Sequence, residues 1–302
     1  MNKKFKIEWL GYLGLLGFAG FIWVPLRGLR AGVLLCMFFA APYRKNVRLL
    51  FFVIIYAIGQ GAALILARGR LPKPGSYCQR TEFILPFKGL WHVESGGVKR
   101  KDSHSWHILN QRYAYDFLIK NDEGLTHSGD GKKLEDYYCF GQPIYAPAGG
   151  AIVRINDGIP DNPKLGDIDW KARNPAGNYV VIQHDNGEYS HLAHFKNETL
   201  EVRFGGRVEE GQRIGLCGNS GHSTEPHLHL QIQNRASFFF SIGLPVKFSH
   251  YVVNKDGRYQ KMECGYLSKG EKAMSIETAR TEKAKHKENP ALSHGPMGSE
   301  KL

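Results

Sequence analysis

Between Phe83 and about His250 no stretch sustains a helical period, and apolar residues come instead in short β-branched or aromatic runs closed by Gly, Pro, Asn or Asp. The clear runs are Tyr113 to Lys120, Pro143 to Ala146, Ala151 to Ile155, Asn178 to His184, Tyr189 to His194, Arg213 to Cys217 and His227 to Gln233. Asp185, Asn186 and Gly187 between two of them form a strong hairpin signal, because Asn-Gly supplies the positive φ of a tight turn. Short runs joined by turns favour a mostly β, antiparallel domain. The Asp, Pro and Gly-rich segment from Asn156 to Asn174 reads as a long loop over it.

The apolar residues are unevenly spread. They crowd into residues 1–67, where Trp9 to Pro25, Gly32 to Pro42 and Leu49 to Ala67 are separated by Arg27 and Arg30 and by Arg44, Lys45 and Arg48. Two of the three blocks approach the roughly 20 residues of a membrane span. Residues 1–67 are therefore expected to hold two or three transmembrane helices, and consecutive apolar blocks without a small-residue cleavage site argue against a removed signal peptide. Lys3, Lys4 and Lys6 favour an internal N-terminus. An odd number of spans then places the rest of the chain outside the membrane, and two spans return it inside. Residues 68–80, with Pro72, Pro74 and several basic residues, read as a linker. The β domain is expected over 81–255, followed by a polar extension, 256–302, with one possible extended element at Tyr259 to Tyr266 and disorder from about residue 269.

The net charge of +12 lies largely beside the apolar blocks and in the Lys-rich tail, and no nucleic-acid motif accompanies it. It fits anionic lipid or an anionic wall polymer, so a lipid bilayer is an expected partner and nucleic acid is not. The five cysteines show no C-x-x-C spacing, which argues against a cysteine metal site and leaves no disulfide framework legible.

His227 and His229 alternate on one strand, so both imidazoles face one side, an arrangement that can place a metal ligand beside a proton carrier. In a chain with thirteen histidines such a pair also fits a plain solvated strand. Asp116 lies among aromatic and aliphatic neighbours, where a carboxylate must be paired or metal-bound. Its partner is either a metal or Arg112. His191 and His194 are three apart, so a regular strand admits only one of them to a common site.

Taken in order, Tyr145 to Val153, Gly177 to His184, Leu192 to Phe195, Val208 to Gly215 and Cys217 to His229 resemble the blocks of the lysostaphin-type zinc peptidases. The resemblance spans roughly residues 83–235. It implies a small antiparallel β domain with a groove, a Zn2+ held by the His and Asp of an H-x-x-x-D motif plus the second His of H-x-H, and two unligated histidines. Carried across, Asp116 and His229 match ligands, and His194 and His227 match the unligated pair. Arg112 stands where the first ligand is expected, and a guanidinium cannot bind zinc. The block Ser103, His104, Ser105, Trp106 resembles a bacterial branch of the family and points to His104, ahead of His107, as the replacement.

The resemblance implies a metalloendopeptidase that cleaves the peptide part of peptidoglycan, anchored in the cell membrane with its catalytic domain extracytoplasmic. A metal-free binding or regulatory module of the same fold is the alternative. A membrane-bound peptidase acting on a secreted peptide or protein is the third. Glu225 either shapes the groove or caps a turn, and Glu135 and Asp136 read as a loop or a calcium or substrate contact.

Overall fold

The computed structural model of the protein describes residues 47–276 except positions 170, 171, 173 and 256, together with residue 278. The apolar blocks at 9–25 and 32–42 and the tail from 279 lie outside the described residues. Two compact units divide at Ile58 and Gly59.

In the second unit, alternation builds the fold. Strand β1 spans Trp91–Ser95, β2 Tyr115–Leu118, β3 Pro143–Tyr145, β4 Gly150–Asn156, β5 Asn178–Gln183, β6 Tyr189–Phe195, β7 Arg207–Val208 and β8 Arg213–Leu216. β9 follows at Leu228–Gln233, β10 at Gly243–Leu244, β11 at Phe248–Lys255, β12 at Arg258–Gly265 and β13 at Lys272–Ser275. The main sheet runs β12-β11-β13-β1-β2-β9-β6-β5-β4-β7, with β10 beside β9, and β3 and β8 form a separate pair. Every strand pair is antiparallel. The Asp185 to Gly187 turn joins β5 to β6, with Gln183 opposite Tyr189 and Gly187 at a φ of 78°.

One face of the sheet is apolar. Tyr115 and Phe117 of β2, Leu228, Leu230 and Ile232 of β9, Leu192 of β6 and Val180 and Ile182 of β5 enter a single core with Trp91, Phe87 and Phe248. Phe87 stacks on Trp91 at 4.8 Å and meets Phe117 edge-on at 4.9 Å. Burial of such large rings contributes much of the stability of a small β domain. The period of two then obliges the intervening residues, Asp116, His229, Gln231, His191 and Ala193, to face the other side.

Three expected boundaries move. The third apolar block is helical, α1 (Val47–Leu66), yet among the described residues no helix is long and apolar enough to cross a membrane. From Gly59 onward this helix belongs to the β unit. Gln60 Nε2 donates to the Phe239 carbonyl at 3.0 Å, and a Cβ at Gly59 would strike that same carbonyl.

The 68–80 segment is strapped to the domain and is no free linker. Tyr113 and Tyr266 donate to the carbonyls of Pro72 and Pro74, and Glu188 accepts from the Tyr77 hydroxyl and from the amides of Arg80 and Thr81. The 256–302 extension begins as sheet, since β12 pairs with β11, and β13 sits between β11 and β1 with Ala273 opposite both Trp91 and Val253. The charged residues of these strands hid Ala273, which enters the main core, and Met274, which packs on the opposite face with Val252.

Candidate active site

The β2–β9 register sets Asp116 directly opposite His229. Their side chains meet at 2.8 Å between Oδ1 and Nδ1. His227, two residues before His229, presents Nε2 at 3.8 Å from the same Oδ1. His104, in the turns after β1, brings Nδ1 to 3.3 Å from Asp116 Oδ2. Three imidazoles therefore converge on one carboxylate at the wall of a cavity of about 640 Å³.

Burial by itself would raise the Asp116 carboxyl, but the hydrogen bond from His229 and the charges of His229, His227 and His104 outweigh it and hold the group well below the usual carboxylate range. For His229 burial works against protonation, and the bond to Asp116 with its charge reverses that and raises the imidazole.

His194 reaches the same place by breaking the strand rule. Its φ of 64° turns the end of β6, so that His191 and His194 both line the cavity. The expectation that only one of them joins the site is corrected here, because the period of two holds only while the backbone stays extended. The His194 ring lies 4.7 Å from that of His227 and 5.9 Å from that of His229. Burial, then the charges of His227 and His229, push His194 well below the usual histidine value and keep it neutral.

Main-chain carbonyls fix two tautomers. His194 Nδ1 donates to Ser220 O at 2.7 Å, and His227 Nδ1 donates to Glu225 O at 2.9 Å. A carbonyl only accepts, so each Nδ1 carries the proton and each Nε2 is left as a base.

The loop bearing His104 is held by polar contacts and a stacked cation. Ser95 Oγ lies 2.7 Å from His104 Nδ1, Arg112 Nε donates to the Trp106 carbonyl at 3.0 Å, and the guanidinium lies 5.4 Å from the Trp106 ring. Arg112 makes no ion pair with Asp116 among the described residues, and His107 is exposed and does not line the cavity. Glu225 lines the cavity and accepts from Thr126 Oγ1 at 2.8 Å. Glu135 and Asp136 form a short helical turn away from it.

Imidazole and carboxylate donors are a set that zinc accepts, and the buried Asp116 needs positive charge beside it. As placed, Asp116 and His229 bond directly to each other, and among the described residues no group of three or more His, Cys, Asp or Glu side chains is arranged around a metal position. The donor types fit the ion, and the spacing is that of hydrogen-bonded neighbours.

Three features escaped the sequence. Ser95 gives no local signal. His191, which the sequence admits only as an alternative to His194, lines the cavity, and among the described residues neither of its ring nitrogens has a hydrogen-bond partner. Gln231 Oε1 lies 3.1 Å from His229 Nε2, and extending the H-x-H alternation to Gln231 and Gln233 would have placed both amides on the site face.

Residues 135–239 match peptidase family M23, a stretch that includes His194, His227 and His229 and begins after His104 and Asp116. The peptidoglycan DD-endopeptidase ShyA of Vibrio cholerae serotype O1 is 37% identical over 160 residues, 53% of this chain and 29% of that protein. The DD-carboxypeptidase/endopeptidase Mpg of Neisseria meningitidis serogroup B is 36% identical over 90 residues, 28% of this chain and 18% of that protein. The glycyl-glycine endopeptidase ALE-1 of Staphylococcus capitis is 30% identical over 95 residues, 30% of this chain and 24% of that protein. Among solved structures, the catalytic domain of lysostaphin from Staphylococcus simulans overlaps 52% of this chain and 88% of its own, with 21% identity and a TM-score of 0.30. The chain spans less than a third of the length of these curated relatives. The family match and the curated relatives show that the chain carries a peptidase family M23 domain, matched over residues 135–239.

Proposed function

We propose that the domain is a zinc-dependent endopeptidase that cleaves peptide bonds of peptidoglycan. The observation that carries this reading is the convergence of His104, His227 and His229 on Asp116, with His194 against them, in one cavity. The named activities of ShyA, Mpg and ALE-1 support the substrate class.

His104, Asp116 and His229 would hold the metal. A zinc ion bound there supplies Lewis acidity that polarises a carbonyl and lowers the pKa of water toward about 7. His194 and His227, each with its proton fixed on Nδ1, offer Nε2 to accept the proton of the attacking water. The same nitrogen returns it to the amine of the departing peptide. The two rings stand together, and the ring that has taken the proton carries an Nε2–H that can donate to the oxygen gaining negative charge before the proton passes to the amine. No Ser or Cys nucleophile is needed, and Cys217 is buried with its thiol pushed up, first by that burial.

Peptidoglycan lies outside the cytoplasmic membrane, so the domain acts there. The apolar block at Trp9 to Pro25 supplies the anchor in the bilayer, which its length and low charge support, and one span from an internal N-terminus leaves the domain outside. Digestion of purified peptidoglycan tests the reading: cross-linked muropeptides should fall to monomers bearing new amino termini. His194→Ala and His227→Ala should each slow this about 100-fold or more. Unchanged muropeptides with zinc-loaded wild type overturn it.

A second reading is a metal-free wall-binding module of the same fold. The direct Asp116–His229 bond favours it, because that contact satisfies the buried carboxylate without an ion. Binding to peptidoglycan with neither zinc nor cleavage would select it.

A further inference from the structure

Histidines aside, the charged side chains that line the cavity among the described residues are Glu94, Asp116, Glu225 and Lys269. Asp116 is held by its imidazoles, and Glu94 pairs with Lys120 at 2.6 Å. Lys269 precedes Gly270, whose amide donates to Val93 of β1, two strands away from β9 in the sheet. Glu225 is different. Among the described residues its carboxylate has one partner, the Thr126 hydroxyl, which donates to Oε2 at 2.8 Å and leaves Oε1 without a donor.

This carboxylate is fixed at both ends. Ser223 Oγ donates to the Glu225 carbonyl at 2.7 Å and His227 Nδ1 donates to the same oxygen at 2.9 Å, which holds the main chain. Thr126 is held in turn, since the Tyr138 amide donates to its carbonyl at 3.1 Å and the adjacent His127 is bridged to Tyr137. A half-buried carboxylate kept in place without a cation carries a desolvation cost that a positively charged ligand would offset.

Glu225 also has a definite side. The last β2–β9 pair is Phe117 opposite Leu228, and Leu118, His227 and Glu225 lie beyond it. Ile108, Gln111 and Phe238 line the cavity from segments at the opposite, Tyr115 end, with the Asp116–His229 pair between. The cavity is thus anionic on one side of the reacting centre and uncharged on the other.

We propose that Glu225 and Thr126 form a subsite for a primary ammonium group of the peptide, on one side of the bond to be cut. An ammonium carries three N–H donors, of which Glu225 Oε1 accepts one and a lone pair of Thr126 Oγ1 accepts another. Hydrogen bonds between charged partners distinguish a free amine from a neutral amide by about 10- to 100-fold. The inference deepens the endopeptidase reading and rests on it: the preferred substrate is a peptide with a free amine near the scissile bond.

The test uses the full chain loaded with zinc and two probes, purified cross-linked muropeptides and the same muropeptides with their free amines acetylated. Wild type should cleave the native pool with a kcat/KM about 10- to 100-fold above the acetylated one. Glu225→Gln keeps the shape of the side chain, an acceptor for Thr126 and the main-chain contacts to His227, and its ratio should fall to within about threefold of one. Glu225→Lys should favour the acetylated pool, and Thr126→Val should give a ratio between those of wild type and Glu225→Gln.

A purely structural role for Glu225 would slow both pools alike in Glu225→Gln and leave the ratio at its wild-type value, which overturns the proposal, as does a wild-type ratio near one. If zinc-loaded wild type cleaves neither pool, the functional reading fails, and calorimetric binding of the two pools still decides the subsite. A preference for free amines that Glu225→Gln loses upholds it, and equal binding of both pools to wild type overturns it.

Discussion

Asp116 on β2 and His229 on β9 face each other across the sheet, and the 2.8 Å contact between them ties the metal-type cluster to the backbone register. The pair also makes metal-free stability depend on pH. The Asp116 carboxyl is depressed, so its contribution is present above its unfolded value of about 3.9 and is lost as pH falls through the lower folded value. The His229 imidazole is raised, so its contribution is present below about 6.5 and is lost as pH rises through the higher folded value. In chelator, the melting-temperature difference between wild type and Asp116→Asn should be greatest from about pH 4 to 6.5 and shrink on either side. A difference independent of pH contradicts this.

His191 should be a stability liability. Both ring nitrogens are buried, between the rings of Tyr179 and Phe238 and without hydrogen-bond partners among the described residues, and burial, followed by the charges of His229 and Arg154, pushes the pKa down to about 3. A lowered folded pKa means that protonation opposes folding, so stability is full above about 6.5 and falls between there and about 3. His191→Phe should raise the melting temperature at pH 7, since each orphaned polar group costs roughly 1–3 kcal/mol. It should also flatten the acid limb. Thermal unfolding from pH 3 to 8 checks both, and a lower melting point at pH 7 would show that the ring has a partner in solution.

Gly177 supports His194 at one remove. Its φ is 63°, and a Cβ there would collide with the carbonyl and hydroxyl of Ser220. That carbonyl fixes the His194 tautomer, and the Ser220 hydroxyl donates to Phe195 O at 2.7 Å. Gly177→Ala should destabilise the fold by about 1–3 kcal/mol. It should reduce kcat about tenfold or more with zinc content unchanged, because the displaced group serves proton transfer and not the metal. Full kcat with normal zinc would contradict the role given to Ser220.

Where the period of two governs, the sequence was sufficient. The runs ending in β5, β6, β8 and β9 and the Asp185 to Gly187 turn all emerge close to their expected places, and so do Asp116, His227 and His229 on one face. What it could not show depends on long-range partners. β1 and β13 are recognisable only as neighbours of each other, since Trp91 and Ala273 meet across 182 positions that local patterning does not see. The strap of 68–80 depends on Glu188, a buried carboxylate satisfied by Tyr77 and Arg80 of that segment and by Thr81 just after it. His194 joins His191 at the cavity through a single positive φ at a non-glycine residue, which no composition rule anticipates. His104 was found through resemblance, and its place beside Asp116 depends on Arg112 holding the Trp106 carbonyl, in the position where a ligand was expected.

The most direct test of the account is the zinc content of the purified protein and of five alanine variants. Wild type should hold about one equivalent, as a three-ligand site requires. His104→Ala, Asp116→Ala and His229→Ala should lose it, while His194→Ala and His227→Ala should keep it and lose peptidoglycan cleavage. Absence of zinc from wild type, or its full retention in His104→Ala, would contradict the account.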